Sequence, residues 1–320
     1  MKRKTRTDSS ALLTRVRFTL VLIAMLCFAN GARAQGTTTL TVYEDASSSS
    51  QYVPVYGAYA DCYQKCEFVI PASELTNMNG GIISKMTFYL SSPTSFSWSG
   101  TFKVFLKHTG HTTISAFSGT DRDTIVYQGT LEVIEKTMTI NFTKNYYTYT
   151  GGNLLIGVYE TTTSSHVKSA TFIGETVSNA SVQGYNSDAL GSVNVNQYNF
   201  IPKTTFTYYV PVSSVTLSKT TASMVVGGET LPLTAEVLPT NATEKSVTWT
   251  SNNENVATVI DGVVTAVAAG IATISAEAND GSGKVGTCTV TVNPPTYMTL
   301  TDGTDYTVTS DMAVTSATYT

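Results

Sequence analysis

From Val247 to Val292 the chain reads V-T-W-T-S, then N-V-A-T-V, D-G-V-V-T-A-V, G-I-A-T-I-S-A and finally G-T-C-T-V-T-V. Apolar residues alternate with Thr and Ser, and Asn, Asp and Gly interrupt the runs. A period of two sends successive side chains to opposite faces, so each run predicts an antiparallel strand with one buried face, joined to the next by a tight turn. Trp249 is in phase with Val247 and is expected to lie inward, between two sheets. No long stretch of the chain carries the 3.6-residue period of a helix.

The N-terminus predicts an export signal. Six basic residues from Lys2 to Arg17 stand against one acid, Asp8. The apolar run from Phe18 to Ala29 is too short to anchor in a bilayer. Ala32-Arg33-Ala34 supplies a small-x-small cleavage pattern, which makes residues 1–34 a signal peptide and Gln35 the new N-terminus. Cys27 follows the bulky Leu26, which does not suit a lipoprotein signal. No transmembrane segment is expected after cleavage. The leader holds seven of the 19 Lys and Arg and one of the 23 Asp and Glu, so 12 bases and 22 acids remain, a net charge of −10. Such a chain repels the phosphates of nucleic acids, and no nucleic-acid partner is expected.

Cys62, Cys66 and Cys288 remain, an odd number for an exported chain. In an extended strand Cys62 and Cys66 would lie about 13 Å apart, beyond disulfide reach. In a turn they would be about 6 Å apart and able to bridge. Cys288 is in phase with Val290 and Val292 and reads as a buried thiol.

Residues 35–210 form a first domain. Its predicted strands are Ile83 to Leu90, Phe102 to His108, Ile125 to Val133, Met138 to Phe142, Leu154 to Tyr159 and Thr204 to Tyr209. Met86, Phe88 and Leu90 share one face, and Phe102, Val104 and Leu106 oppose Lys103 and Lys107. Some eight strands in this length fit a jelly-roll-like double sheet. Pro211 ends the last strand within a short linker, and a second domain spans 211–293. Asn293-Pro294-Pro295 opens a second linker. Residues 294–320 alternate again and read as the start of a truncated further domain. The predicted fold is therefore all-β: a jelly-roll-like sandwich, an Ig-like sandwich and an incomplete β tail.

Residues 211–293 closely resemble the bacterial immunoglobulin-like domain of group 2. The matching positions are Val215 and Leu217, Gly227-Gly228, Leu231, Leu233 and Ala235, Val247 and Trp249, Val256 to Val259, then Gly262, Ala266, Gly270, Ala272, Ile274 and Ala276. The resemblance implies a seven-stranded sandwich that serves as a stalk or adhesive unit on bacterial surfaces. The first domain resembles the N-terminal sandwich of exported proteins of gut-dwelling bacteria. That likeness rests on Y-V-P-V at Tyr52 to Val55, I-S-K-M-T-F-Y at Ile83 to Tyr89, F-K-V-F-L-K-H-T at Phe102 to Thr109, V-Y-Q-G at Val126 to Gly129 and Y-T-G-G-N-L-L-I-G-V at Tyr149 to Val158. It implies fold and location rather than activity.

Catalytic signals are weak. Gly281-Ser282-Gly283-Lys284-Val285-Gly286 matches G-x-G-x-x-G, but it joins two predicted antiparallel strands and reads as a hairpin turn rather than a pyrophosphate cradle. His108 and His111 have no acidic or Cys partner at metal-binding spacing, and His166 stands apart. Asp121-Arg122-Asp123 and Asp302-Gly303-Thr304-Asp305 offer oxygen ligands on loops, as ordinary turns also do. No catalytic residue, metal site or cofactor is expected.

Aromatic residues carry the binding expectation. Trp98 sits in S-F-S-W-S-G and is expected on a loop, where a flat ring stacks on a sugar. Tyr146 is the next candidate, with Tyr147 and Tyr149 on the other face as packing residues. The function that emerges is a non-catalytic protein, exported to the cell surface or medium, for adhesion or display. The Ig-like unit is the spacer, the first sandwich is the binding head, and a surface glycan or host protein is the partner. The alternative is the carbohydrate-binding region of a larger secreted hydrolase.

Overall fold

A computed structural model of the chain describes residues 36–56, 62–119, 124–163 and 169–295. The expected signal segment, Asp121 to Asp123, His166 and Asp302 to Asp305 lie outside the described residues, as does the tail from 296 onward. The described chain is all-β, with three single-turn 3-10 segments at Ala72–Glu74, Thr76–Met78 and Leu190–Ser192.

Two antiparallel sheets build the first sandwich. The six-stranded sheet runs Asn196–Tyr198, Ser181–Asn186, Tyr63–Ile70, Asn153–Glu160, Phe102–Thr109 and Thr124–Gly129 in spatial order. The five-stranded sheet runs Thr38–Val42, Thr204–Tyr209, Ile82–Tyr89 and Tyr147–Thr148, with Thr137–Asn141 also paired to Ile82–Tyr89. Met86, Phe88 and Leu90 are buried, as their shared face requires, and Phe88 meets Phe68 of the opposite sheet edge-on at 6.1 Å. The predicted strand Ile125 to Val133 is broken at Thr130 and Leu131; Glu132–Val133 pairs instead with Phe96–Ser97.

The outer face of the six-stranded sheet is covered too. Val69, Phe105, Leu155, Tyr159 and Val182 form a second cluster beneath Ile114 and Phe117, which come from the segment after Thr109. Gly157 lies opposite Phe105, where a Cβ would fall 1.9 Å from the ring, so only glycine lets that ring lie flat on the sheet. The buried Glu67 fixes the covering segment: its carboxylate accepts hydrogen bonds from the Ser118 amide and hydroxyl and from the Tyr159 hydroxyl.

Inside the sandwich, the register arranges the sheet in rows across its strands. Leu154 lies opposite Ile70, Ile156 opposite Phe68, and Val158 opposite Cys66. The next row changes character: Glu160 faces Gln64, and Gln64 faces Tyr185. One end of the inner face is therefore polar, and it lies under the first domain's tyrosines. Cys66 is inside a strand with Cys62 just before it, which is the extended arrangement. The three cysteines among the described residues, Cys62, Cys66 and Cys288, are buried thiols, and burial pushes the Cys66 thiol well up.

The second sandwich pairs Thr221–Val225, Val285–Asn293, Gly270–Ala278 and Val247–Ser251 in one sheet, the first pair parallel. Facing it are Ser214–Leu217 with Ala235–Leu238, and Leu231–Pro232 with Val263–Ala266 and Ala257–Ile260. Its core is small and aliphatic, with Ala272, Ile274, Ala276, Cys288 and Val290 fully enclosed. The expectation that Trp249 is enclosed between the sheets needs correction. The ring packs against the core but stays half-buried. It rests over the turn at Gly262, whose φ of +82° favours glycine and where a Cβ would sit 3.1 Å from the indole.

The linker leaves no slack. Val210 is buried in the first core and Val212, two residues on, in the second. Thr243 bonds to Val210 twice, accepting from its amide at its hydroxyl (2.7 Å) and donating its own amide to the Val210 carbonyl (3.0 Å). Asn241 donates to the Asn79 carbonyl at 2.9 Å.

Candidate functional site: a tyrosine stack and its cleft

Four tyrosines from distant parts of the chain meet at the polar end of the first sandwich. The Y-V-P-V segment follows the short strand Ser48–Ser50, and its Val53 and Val55 are fully buried. These two side chains peg the segment to the core and hold Tyr52 and Tyr56 beside it. Tyr185 ends the inner face of Ser181–Asn186, and Tyr198 belongs to the edge strand Asn196–Tyr198. The rings stack in the order Tyr185, Tyr56, Tyr52, Tyr198, with centroids 4.3, 5.9 and 5.0 Å apart and interplanar angles of 11°, 26° and 24°. Tyr185 and Tyr52 are 45% and 38% exposed, while Tyr56 is 8% exposed.

Beneath the rings a polar network fixes the backbone. The Tyr56 amide donates to Gln64 Oε1 at 2.6 Å, and Gln64 Nε2 donates to Glu160 at 2.7 Å. Burial, then the neighbouring Tyr185 hydroxyl, Cys62 and Tyr52, push the Tyr56 phenol above the usual range. Burial, then Tyr52, Tyr185 and Cys66, push Tyr198 up to about 12. Both phenols are therefore neutral hydroxyl groups at any physiological pH.

Tyr52 and Tyr198 also line a cleft of about 510 Å³ with Ser48, Gln51, Thr171 and Asn199. Among the described residues no charged side chain lines it. Gln51 donates to the Thr171 hydroxyl at 3.3 Å, and Ser50 accepts from the Tyr52 amide at 3.0 Å, so the wall is held in place. Hydroxyls, amides and aromatic rings are the groups that bind neutral polar molecules having one apolar face.

The sequence-predicted sites stand elsewhere. Trp98 is not on an open loop. Its ring is fully buried, edge-on to Phe96 at 4.7 Å and Phe102 at 6.1 Å. Around it, Phe96–Ser97 pairs with Glu132–Val133, and Gly100 lies so close to Glu160 that a Cβ would fall 2.0 Å from its carboxylate. Trp98 is thus no sugar platform. Tyr146 is 61% exposed, while Tyr149 is buried and donates to the Gly152 carbonyl at 2.5 Å. Tyr146 is not part of the stack. His108 and His111 are exposed, and among the described residues no three His, Cys, Asp or Glu side chains are grouped to hold a metal. Gly281 and Gly283, at φ of +81° and +67°, form the hairpin between Gly270–Ala278 and Val285–Asn293.

Comparison with known proteins agrees with this architecture in its second half. Residues 211–290 match the bacterial Ig-like domain (group 2) family and form a domain of that kind, preceded by the β-sandwich region described above. A 3-O-alpha-D-galactosyl-alpha-L-arabinofuranosidase of Bifidobacterium longum subsp. longum is 42% identical over 106 residues, 31% of this chain and 9% of its own length. An Ig-like virion protein of Serratia phage KSP90 is 43% identical over 86 residues, 26% of this chain and 33% of its own. The chain thus spans about a tenth of the first relative and a third of the second. A C-terminal fragment of intimin, solved with the intimin-binding domain of the translocated intimin receptor, aligns over 65% of this chain and 57% of its own at 14% identity, with a TM-score of 0.21.

Proposed function

We propose that the chain is an exported, non-catalytic adhesion or display protein of a bacterial surface, with the first sandwich as its binding head and the group 2 Ig-like domain as its spacer. The observation that carries this reading is the position of the tyrosine-lined cleft. It opens on the first sandwich, which a two-residue peg joins to the Ig-like domain. The arrangement suits holding a ligand away from a surface, because loops and edges on a rigid sandwich carry recognition well. Among the described residues no basic or acidic group lines the cleft to transfer a proton, which supports binding without turnover.

The likeness to part of an arabinofuranosidase favours a second reading, in which this region supplies carbohydrate binding to a larger secreted hydrolase. One experiment separates the two. The chain from Gln35 onward is applied to an array of glycans and host proteins, and the bound spots are assayed for released product. Adhesion or display requires retention with no product and surface labelling of intact cells that express the gene. Product released by this chain would overturn the non-catalytic reading. A hydrolase domain encoded in the same gene would favour the second.

A further inference from the structure

We infer that the tyrosine stack and its cleft bind a neutral glycan chain. Tyr198, whose ring ends the stack at the cleft, supplies the stacking surface, Tyr52 adds its exposed edge, and the Ser48, Gln51, Thr171 and Asn199 wall supplies the hydrogen bonds. The inference rests on the reading of the first sandwich as a binding head and goes further by naming the site and the class of ligand.

Four observations converge. First, the stack is preorganised. Tyr56 and Tyr52 each have ring neighbours on two sides, and the Gln64–Glu160 pair holds the Tyr56 backbone from below. A ligand therefore meets rings that lose little freedom on binding. Second, aromatic surface is left open at the cleft: Tyr52 is 38% exposed and Tyr198 half-buried, both beside the concave wall. Pyranose rings present an apolar C–H face that covers an aromatic ring, while their equatorial hydroxyls point sideways to hydroxyl and amide partners. Third, the cleft volume of about 510 Å³ falls in the ~300–1,000 Å³ range of small-molecule sites and has room for a short run of sugar units. Fourth, among the described residues the lining has no Lys, Arg or His to neutralise a carboxylate, sulfate or phosphate, and from Gln35 on the chain is strongly acidic. An anionic ligand would enter an uncompensated site. The phenols of Tyr56 and Tyr198 are held neutral, so binding is expected to be flat across pH 5–9.

The test uses the chain from Gln35 onward in affinity electrophoresis. The probes are neutral polysaccharides (β-glucan, α-mannan, xylan, arabinogalactan) and acidic ones (polygalacturonate, chondroitin sulfate), with fibronectin and collagen as protein probes in a parallel plate assay. Retardation by at least one neutral chain and by neither acidic chain is expected. Tyr198→Ala and Tyr52→Ala should weaken binding about tenfold or more, the scale of an aromatic anchor. Tyr146→Ala should leave it unchanged. Near-UV circular dichroism checks that each variant is folded. Ser49→Arg, at an exposed position of the cleft wall, blocks the site without touching the stack and replaces any tyrosine variant that fails to fold. Neutral-glycan binding that survives Tyr198→Ala, Tyr52→Ala and Ser49→Arg overturns the site and leaves the binding-head reading standing. Retardation by an acidic chain, lost in the same variants, overturns the ligand class. Protein binding without glycan binding does the same. Silence toward every probe overturns both inferences.

Discussion

Trp98 has no exposed surface and lies between Phe96 and Phe102, so truncating it opens a hole in the core rather than clearing a platform. Trp98→Ala is expected to lower stability by ~3–5 kcal/mol, the usual cost for a core aromatic. Urea unfolding of the variant measures this, and a loss below ~1 kcal/mol would put the ring outside the core. Trp249→Ala should cost less, about 2 kcal/mol, because that ring is half-buried over Gly262. Gln183 works the other way. It is fully buried on the inner face, opposite Cys66, and neither end of its amide has a hydrogen-bond partner among the described residues. Gln183→Met should raise stability by about 1 kcal/mol, since an unsatisfied buried amide is a liability that a thioether of similar shape removes. A lowered urea midpoint would show that the amide is satisfied after all. These residues mark where sequence reasoning stops. The alternation around Trp249 gave its strand and phase correctly, but not the depth of its ring. The Ser and Gly around Trp98 signalled exposure; the serines are indeed exposed, but Gly100 is small because of its close approach to Glu160, and the indole between them turns inward.

Strands with one clean apolar face were readable from periodicity: Ile82–Tyr89, Phe102–Thr109 and Thr204–Tyr209 fall within a residue of their expected limits. Tyr63–Ile70, the central strand that carries Gln64, was not. Its Y-Q-K-C-E-F-V-I run mixes polar and apolar residues because both of its faces are covered, the inner one partly by a polar row and the outer one by the Ser118 segment. The candidate site was hidden for a related reason. Tyr52, Tyr56, Tyr185 and Tyr198 span almost 150 positions and meet only through strand pairing, so no local pattern joins them; Y-V-P-V was visible as a fold motif alone. The stack also has a titration signature. Tyr198 ionises in the folded chain only at about 12, against about 10 when unfolded. A raised folded pKa means that the stabilisation is complete below pH 10 and is lost as the pH climbs toward 12, because the unfolded phenol gives up its proton first. Alkaline titration followed by tyrosinate absorbance should show a late-ionising class of tyrosines, and the fold should weaken in that same window. Simple titration of all tyrosines near pH 10 with the fold intact would contradict the stacked arrangement.

The two sandwiches are tied by few but specific links, and these decide whether the head keeps a fixed direction on its spacer. Val210 and Val212 anchor in separate cores. Asp280, at the base of the glycine hairpin, accepts the Val212 amide at 2.6 Å and the Ser282 amide at 2.9 Å. Burial alone would raise that carboxyl, but hydrogen bonds from Ser282 and Val212 outweigh it and hold its pKa below the ordinary 3.8. A lowered folded pKa gives stabilisation that is complete above the unfolded value and lost as the pH falls through the folded one, so acid below about pH 4 should loosen this joint. The clasp on the other side is independent of pH. Thr243 pairs with Val210 and Asn241 with Asn79, and no ionisable group takes part in either link. Removing both side chains by Asn241→Ala with Thr243→Ala should leave each core untouched and cost about 1–2 kcal/mol in all, the scale of two hydrogen bonds. The larger effect should be on motion. With the valine pegs, the Thr243 amide bond to the Val210 carbonyl and the Asp280 link left, the domains are expected to rock, and the interdomain alignment from residual dipolar couplings should average while couplings within each domain stay fixed. If the alignment of the two domains is as uniform in the double variant as in the parent, the clasp does not hold the head, and the pegs with Asp280 are enough.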